Sequence, residues 1–371
     1  MIRSTFISIL LAVTMFLQPH SLYAMGSQLP RESVPLKVLV VKDSSSVDLS
    51  IKGQYRMVDF NSGEVLKEGD DLQKYVVSVE NINPEGIKIL PEKKARVYIN
   101  NRQFRGDIDI LKDKNGELQV INHIDLEQYL YGVLYHEVSH RWPMEVLKAQ
   151  AIVARSYAFY QKLVNKSKLF DLSSDVYSQV YGGRTSERRK TTKAVNLTQG
   201  LVLTYNGKIF PTYYHATCGG RTSDVTTLWN IDVPALGGKA CNFCMMSPHY
   251  KWKKELNLSD IEDKIGIAGI TSIDIVKRDE AGRILEMSIK GKSGALELSG
   301  NKFRLSVGPN IIKSANFEVE IRGRYITFYG KGWGHGIGMC QWGAYGMSRQ
   351  RWSAEEILDY YYPGAQITRM E

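Results

Sequence analysis

The sequence predicts an α+β protein: a β-rich N-terminal lobe followed by a mixed α+β core. Short alternating runs fill residues 36–117, two capped helical patterns follow between Asp125 and Val164, and strand-like runs return after Leu201. With 371 residues, 43% hydrophobic and 23% charged, the chain has room for two domains, or one large domain with a smaller lobe. There is no internal repeat.

Residues 1–24 read as a secretory signal peptide. Arg3 gives a basic start, Phe6 to Leu17 is an apolar run too short to span a bilayer, and Ala24 closes a cleavage site. Residues 25–35, MGSQLPRESVP, form a linker. The runs LKVLVV, VDLSI, RMVDF, KYVVSV, RVYIN and DIDIL then give six strands of a lobe over 36–117, separated by turn signals such as Asn61-Ser62-Gly63. LQVINHI, residues 118–124, leads into the core, which is expected to occupy 118–371.

Asp125 is a fair N-cap for a helix over DLEQYLYGVLYHEV, and Leu126, Tyr129, Leu130, Val133 and Leu134 share one face. Pro143 opens a second helix, in which Val146, Ala149, Ile152, Val153 and Tyr157 form the apolar stripe. A third helix is expected near 186–197, stopped by Gly200. Beyond it come strands at LVLTY and KIFPTYYHAT, a helix near 258–265, and strands near 271–277, 284–290 and 324–332. Ser353 and Glu356 form a capping box for the last helix, ended by Pro363-Gly364.

The formal charge is +9, or +8 without residues 1–24, which hold one arginine and no acid. On an exported chain this excess suits an anionic wall polymer or membrane surface better than nucleic acid. Cys218, Cys241, Cys244 and Cys340 are even in number and include a C-x-x-C. Two disulfides and one four-thiolate structural zinc site are both open. The absence of a thioredoxin-like βαβ context around the C-x-x-C favours zinc.

His136-Glu137-Val138-Ser139-His140 matches H-E-x-x-H, the zinc-metallopeptidase pattern. Pro143 argues against it, because the helix cannot run on, and no Cys or His follows until His215 to act as a nearby third ligand. At the other end, YGKGWGHGIGMCQWGAYG, residues 329–346, has seven glycines around His335. It lacks the Lys-Ser/Thr of a phosphate loop.

A wider pattern remains when the histidines are set aside. It comprises Leu126, Tyr129-Leu130, Gly132-Val133, Glu137, Trp142-Pro143, Glu145, Leu147-Lys148-Ala149-Gln150-Ala151 and Ala154-Arg155-Ser156-Tyr157-Ala158. Asp175 with Gln179-Val180-Tyr181-Gly182-Gly183 follows, then His215-Ala216-Thr217-Cys218-Gly219-Gly220-Arg221-Thr222, then the glycine stretch with Gln341 and Tyr361-Tyr362-Pro363-Gly364. Together these resemble the SpoIID/LytB family of stage II sporulation protein D and the amidase enhancer. The N-terminal lobe matches less well. Some relatives carry a His/Cys metal site just before Gln-x-Tyr; here Leu172 and Ser178 stand where thiols are expected, so that site is not expected.

The resemblance implies a lytic transglycosylase that cuts peptidoglycan strands stripped of stem peptides, with Glu137 as acid/base and no catalytic cofactor. One carboxyl suffices for this chemistry, whereas hydrolases usually use two. A raised pKa from apolar neighbours such as Val133, Leu134 and Val138 suits the role. In softer roles, Arg155 holds a substrate carboxylate or pairs with a structural acid, and Tyr181 stacks on a sugar or belongs to the core. Gln179, His215, Gly219, Gly220, His335 and Gln341 are expected along the substrate cleft, where glycines let a sugar lie against bare backbone. The competing readings are a non-catalytic wall-binding enhancer of a cell-wall amidase and the H-E-x-x-H peptidase. The expected location is the periplasm or the envelope outside the cytoplasm.

Overall fold

Alternation in the first lobe produces strands with one buried face. The computed structural model describes residues 33–174 and 178–370; residues 1–24, expected as a signal peptide, most of the expected linker 25–35, and Asp175 lie outside the described residues. The strands are β1 (Pro35–Ser44), β2 (Ser46–Asp59), β3 (Val65–Ser78), β4 (Ile87–Pro91), β5 (Arg96–Ile99), β6 (Arg102–Phe104), β7 (Asp107–Lys112), β8 (Leu118–Asp125) and β9 (Leu172–Ser173). They form one nine-stranded sheet in the order β6-β5-β2-β4-β7-β8-β1-β9, with β3 also on β2. VDLSI and RMVDF, read from sequence as two strands, are one. Gly53, at φ 100°, sits in a register shift where β2 leaves β5 and takes up β4. The sheet also extends past 117, since β8 pairs with both β7 and β1.

The helices are α1 (Leu126–Glu137), α2 (Met144–Val164), α3 (Arg189–Leu197), α4 (Val225–Trp229), α5 (Leu258–Ile265), α6 (Gly300–Val307), α7 (Gln341–Arg349) and α8 (Ala354–Tyr361). The Asp125 carboxylate caps α1 by accepting from the Glu127 and Gln128 amides. Ser353 and Glu356 form the expected capping box of α8. None of the described helices is long and apolar enough to cross a membrane.

α2 explains its own composition. Ala151, Ala154 and Ala158 face the core shared by the sheet and α1. Val146, Ala149, Ile152 and Val153 face a second core with Leu203, Ile337, Met339, Ile357 and Tyr362. A helix buried on both sides needs small residues to let its neighbours approach.

A third core, including Trp252, Ile289, Phe303, Phe317 and Phe328, belongs to residues 251–331 alone. Strands 251–257 and 325–331 pair antiparallel, with Lys251 opposite Lys331. The chain therefore leaves the second core and returns to it at adjacent points, and everything between is an inserted lobe. The sequence analysis had not separated this lobe from the 118–371 core.

Candidate active site

α1 ends at Glu137. Val138 is extended (φ −138°, ψ 150°) and its N–H closes the helix on the Leu134 carbonyl. Pro143 then starts α2. This break leaves the Glu137 side chain at the C-terminal end of α1, near Val180, Tyr214 and Gln341.

Two of these neighbours come from motifs far apart in sequence. Residues 214–215 and 339–340 pair as short parallel strands, Tyr214 beside Met339 and His215 beside Cys340. This pairing puts Tyr214 and Gln341 within reach of one carboxyl. The Val180 amide, the Tyr214 hydroxyl and the Gln341 side-chain amide lie close enough to Glu137 to lower its pKa. Tyr214 and Gln341 are held in turn. Gln179 donates to the Tyr214 oxygen (3.0 Å) and to the Ala154 carbonyl (3.3 Å), and accepts from Tyr129 (3.2 Å). Gln341 donates to the Gln150 oxygen at 3.3 Å.

Densely packed protein surrounds Glu137, although part of its surface still meets solvent. Burial is the largest influence on its carboxyl and raises its pKa to about 7; the three donors pull the other way and lose. The C-terminal end of α1 adds negative potential at the same place. The acid thus keeps its proton near neutrality, while three donors stand ready for the carboxylate once the proton leaves. Burial also raises the nearby Tyr157 hydroxyl to about 12.

Half-buried aromatic rings sit next to Tyr214 and Gln341 along the chain. On the Tyr214 side, Tyr213 packs on Trp229 at 4.8 Å between ring centres, and Trp229 on His335 at 5.3 Å. On the Gln341 side, Trp142 packs on Trp342 at 5.1 Å and on Tyr345 at 4.9 Å. Sequence reasoning missed Tyr213, Tyr214 and Trp229 as site residues. Their signal was adjacency to His215 and a chain reversal that only the fold reveals.

The histidines have structural duties. The His335 Nε2–H donates to the Tyr214 carbonyl (2.9 Å), and Nδ1 accepts from the Ile337 amide (3.1 Å). Burial lowers its pKa to about 3, so the ring is neutral. His215 donates from Nδ1 to the Ile337 carbonyl at 3.1 Å and is also held neutral, first by burial and then by His335 and Arg283. Both rings fasten the strand that presents Tyr214.

Several residues expected along the substrate cleft have partners within the protein, and for Arg155 and Tyr181 the structural alternative holds. Arg155 is fully buried and makes a bidentate pair with Glu127, 2.7 and 2.8 Å, so it binds a structural acid. Tyr181 is buried against Tyr129 and Phe104, with its hydroxyl on Asn122 at 3.1 Å, so no sugar face is available. Gln179 is fully buried and acts through Tyr214. The motif glycines also have packing reasons. A Cβ on Gly334 would stand 2.8 Å from the His215 Cβ, and one on Gly219 about 3.0 Å from the backbone at Lys331 and Gly332. The other motif glycine, Gly220, faces Tyr250. These glycines let the protein pack on itself.

H-E-x-x-H geometry is also missing. With the helix ended at Glu137, His136 and His140 do not share a helical face. His136 Nε2 instead pairs with the Ser186 hydroxyl at 2.7 Å. By contrast, the four cysteines converge: all are buried and their Sγ atoms lie within 4.8 Å of one another.

Comparison with known proteins matches these features region by region. The model of the stage II sporulation protein family, SpoIID, covers residues 114–205, from β8 through α3 and the following strand. A domain of unknown function covers residues 242–338, which encloses the inserted lobe. An uncharacterized protein of Brachyspira hyodysenteriae is 31% identical over 94% of this chain and 95% of its own length. Stage II sporulation protein D of Bacillus amyloliquefaciens is 30% identical over 68% of this chain and 76% of its own. The amidase enhancer of Bacillus subtilis is 27% identical over 79% of this chain, though only 48% of its own length is matched. The chain belongs to the SpoIID family.

Proposed function

We propose that this protein cuts peptidoglycan glycan strands outside the cytoplasm as a lytic transglycosylase, with Glu137 as its one acid/base. The observation that carries the reading is a carboxyl that burial raises to about 7, with only neutral donors around it, on a residue that is not fully enclosed. Such a group can give up a proton and then take one back, which is what intramolecular ring closure requires.

In the first step Glu137 protonates the glycosidic oxygen, and the bond from that oxygen to C1 of the muramic acid breaks. The new carboxylate is stabilised by Val180 N–H, Tyr214 and Gln341. The substrate's own N-acetyl group supports the cationic C1. Glu137 then removes the 6-hydroxyl proton as that oxygen closes on C1, leaving a 1,6-anhydro end and a reprotonated acid. No second carboxylate, metal or other cofactor enters this scheme. Aromatic rings such as Trp229 and Trp342, near Tyr214 and Gln341, would suit the apolar faces of successive sugars. The +8 charge of the exported chain favours approach to an anionic wall.

Incubating the mature protein with strands stripped of stem peptides, followed by mass spectrometry, tests the reading. It predicts 1,6-anhydro products from the wild type and none from Glu137→Gln. Reducing ends alone, or equal products from both, would refute it. The relative named amidase enhancer supports a second reading, stimulation of a wall amidase. In that case Glu137→Gln would retain full stimulation and neither protein would yield anhydro ends.

A further inference from the structure

The cysteine cluster takes no part in the chemistry proposed for Glu137, and a buried cation of the inserted lobe lies against it. Cys218 and Cys244 are 3.4 Å apart at Sγ, and all four Sγ atoms lie within 4.8 Å of one another. Four zinc-bound thiolates at about 2.3 Å from the metal would have S···S edges of roughly 3.8 Å. Two disulfides need two separate close pairs, not four mutually close sulfurs. The surroundings also favour thiolates. Cys340 Sγ accepts from the Cys218 and Gly343 amides, both 3.2 Å, and Cys218 Sγ accepts from the Gly220 amide at 3.4 Å. The Tyr361 hydroxyl lies 3.1 Å from Cys241 Sγ. Such donors are the usual outer shell of metal-bound sulfur.

Arg283 is the second observation. It sits in the turn between lobe strands 270–278 and 284–291, with 1% of its surface exposed. Its guanidinium donates to the Cys218 carbonyl (3.1 Å), the Ser223 hydroxyl (3.2 Å) and the Arg221 carbonyl (3.4 Å), all neutral, and its Nε has no partner. Asp279 is close, but its oxygens accept from the Arg283 main-chain amide and the Ser223 hydroxyl. A Cβ on Gly336 would stand 2.0 Å from the Arg283 Cζ, so that glycine makes room for this side chain. A guanidinium taken out of water needs a counter-charge. Four thiolates around Zn²⁺ carry a net charge of about −2, next to Cys218.

We infer that Cys218, Cys241, Cys244 and Cys340 hold one Zn²⁺ as a four-thiolate site, and that Arg283 supplies its counter-charge from the inserted lobe. Each thiol gives up its proton on binding the metal. The site joins the His215 loop, the C-x-x-C and the glycine stretch, and Arg283 docks the lobe on that joint. The inference is independent of what Glu137 does.

Elemental analysis and X-ray absorption on the full mature chain, purified without chelator, should find one zinc per chain with Zn–S distances of about 2.3 Å. No bound metal, whether with two disulfides or with four free thiols, would overturn the site. The role of Arg283 is read from zinc loss to a chelator. Arg283→Met should lose zinc at least tenfold faster than wild type, with Arg283→Lys in between; equal rates would overturn the counter-charge. Should Arg283→Met fail to fold, hydrogen exchange on the wild type decides the point. Removing zinc should expose residues 279–283 and 332–340 while β1–β8 stay protected, and unchanged exchange at 279–283 would refute the docking.

Discussion

Glu127 and Glu137 stand at opposite ends of α1, ten residues apart, and the fold treats them in opposite ways. Glu127 lies in the first turn, where the helix dipole favours an anion, and holds Arg155 through both oxygens while also accepting from the Gly200 amide. Glu137 lies at the end that disfavours an anion and meets only neutral donors. Burial alone does not decide what a carboxyl does. A buried acid with a cation is a fixed charge that joins α1 to α2. A buried acid without one is a proton reservoir. The difference lies in a single partner, and each side of it can be broken separately.

The largest expected effect comes from Glu137→Gln, which keeps the shape and removes the proton. Anhydro-product formation should fall by about 10²–10⁴-fold or below detection, the usual contribution of a general acid. Stability should move the other way. With the folded pKa raised from 4.5 to about 7, the folded state holds a proton that the unfolded state has released between those values. Wild-type stability therefore falls as pH rises through that window, by at most about 3 kcal/mol, and is flat above it. The glutamine variant lacks this fall, so the gap in melting temperature should widen in its favour from pH 4.5 to 7. Parallel melting curves across that range would contradict the raised pKa.

Arg155→Met tests the opposite partner. It leaves the largely buried Glu127 without its cation, and denaturant unfolding should report a loss of up to about 3 kcal/mol, less than for a fully buried pair. The activity of the fraction still folded should stay near wild type, because Arg155 is fully buried on Glu127 and is not among the groups acting on Glu137. A variant as stable as wild type would show that the pair is not what secures α1 to α2.

Tyr214→Phe makes a smaller change on the Glu137 side. It removes one of the donors that lower the Glu137 pKa, so the basic limb of the pH–rate profile should move to higher pH. Turnover should also fall by about tenfold, since the carboxylate formed after proton transfer loses a hydrogen bond. A reduced rate with an unmoved limb would mean that Tyr214 acts on substrate and not on Glu137.

Much of this arrangement was legible in the sequence, and the gaps have physical causes. The ends of α1 and α2 could be read because Asp125 and Pro143 act locally. Glu137 could be read because it closes a periodic helix inside a wider motif. Arg155 and Tyr181 belong to the same motif, but a motif does not distinguish a residue that touches substrate from one that packs behind it. α7 was missed because Gly343 and Gly346 lower helix propensity. They are there because a Cβ would stand 1.9 Å from the Tyr361 hydroxyl and 2.0 Å from the Phe243 carbonyl. The inserted lobe was missed because its strands alternate like the others, and its ends are joined by pairing between 251–257 and 325–331. Tyr214 and Gln341 meet through a two-residue parallel bridge between segments over 120 residues apart, a long-range pairing with no local signature.

The smallest effect is expected from the residues that looked most like a catalytic signature. His136 and His140 flank Glu137, and on a continuous helix they would face one metal. Here Val138 leaves the helix, so the chain turns away before His140, and the His136 Nε2 is engaged by Ser186 at 2.7 Å. His140 instead packs beside Tyr135, with ring centres 5.7 Å apart. The double variant His136→Ala with His140→Ala removes one side-chain hydrogen bond, a stability cost of about 1 kcal/mol. Anhydro-product formation should stay within roughly tenfold of wild type, a change of no more than about 1.4 kcal/mol in barrier. The zinc content per chain should not change, because neither histidine belongs to the cysteine cluster. Loss of one bound zinc together with all activity would restore the metallopeptidase reading, and with it a Glu137 that activates water at a metal instead of protonating a sugar.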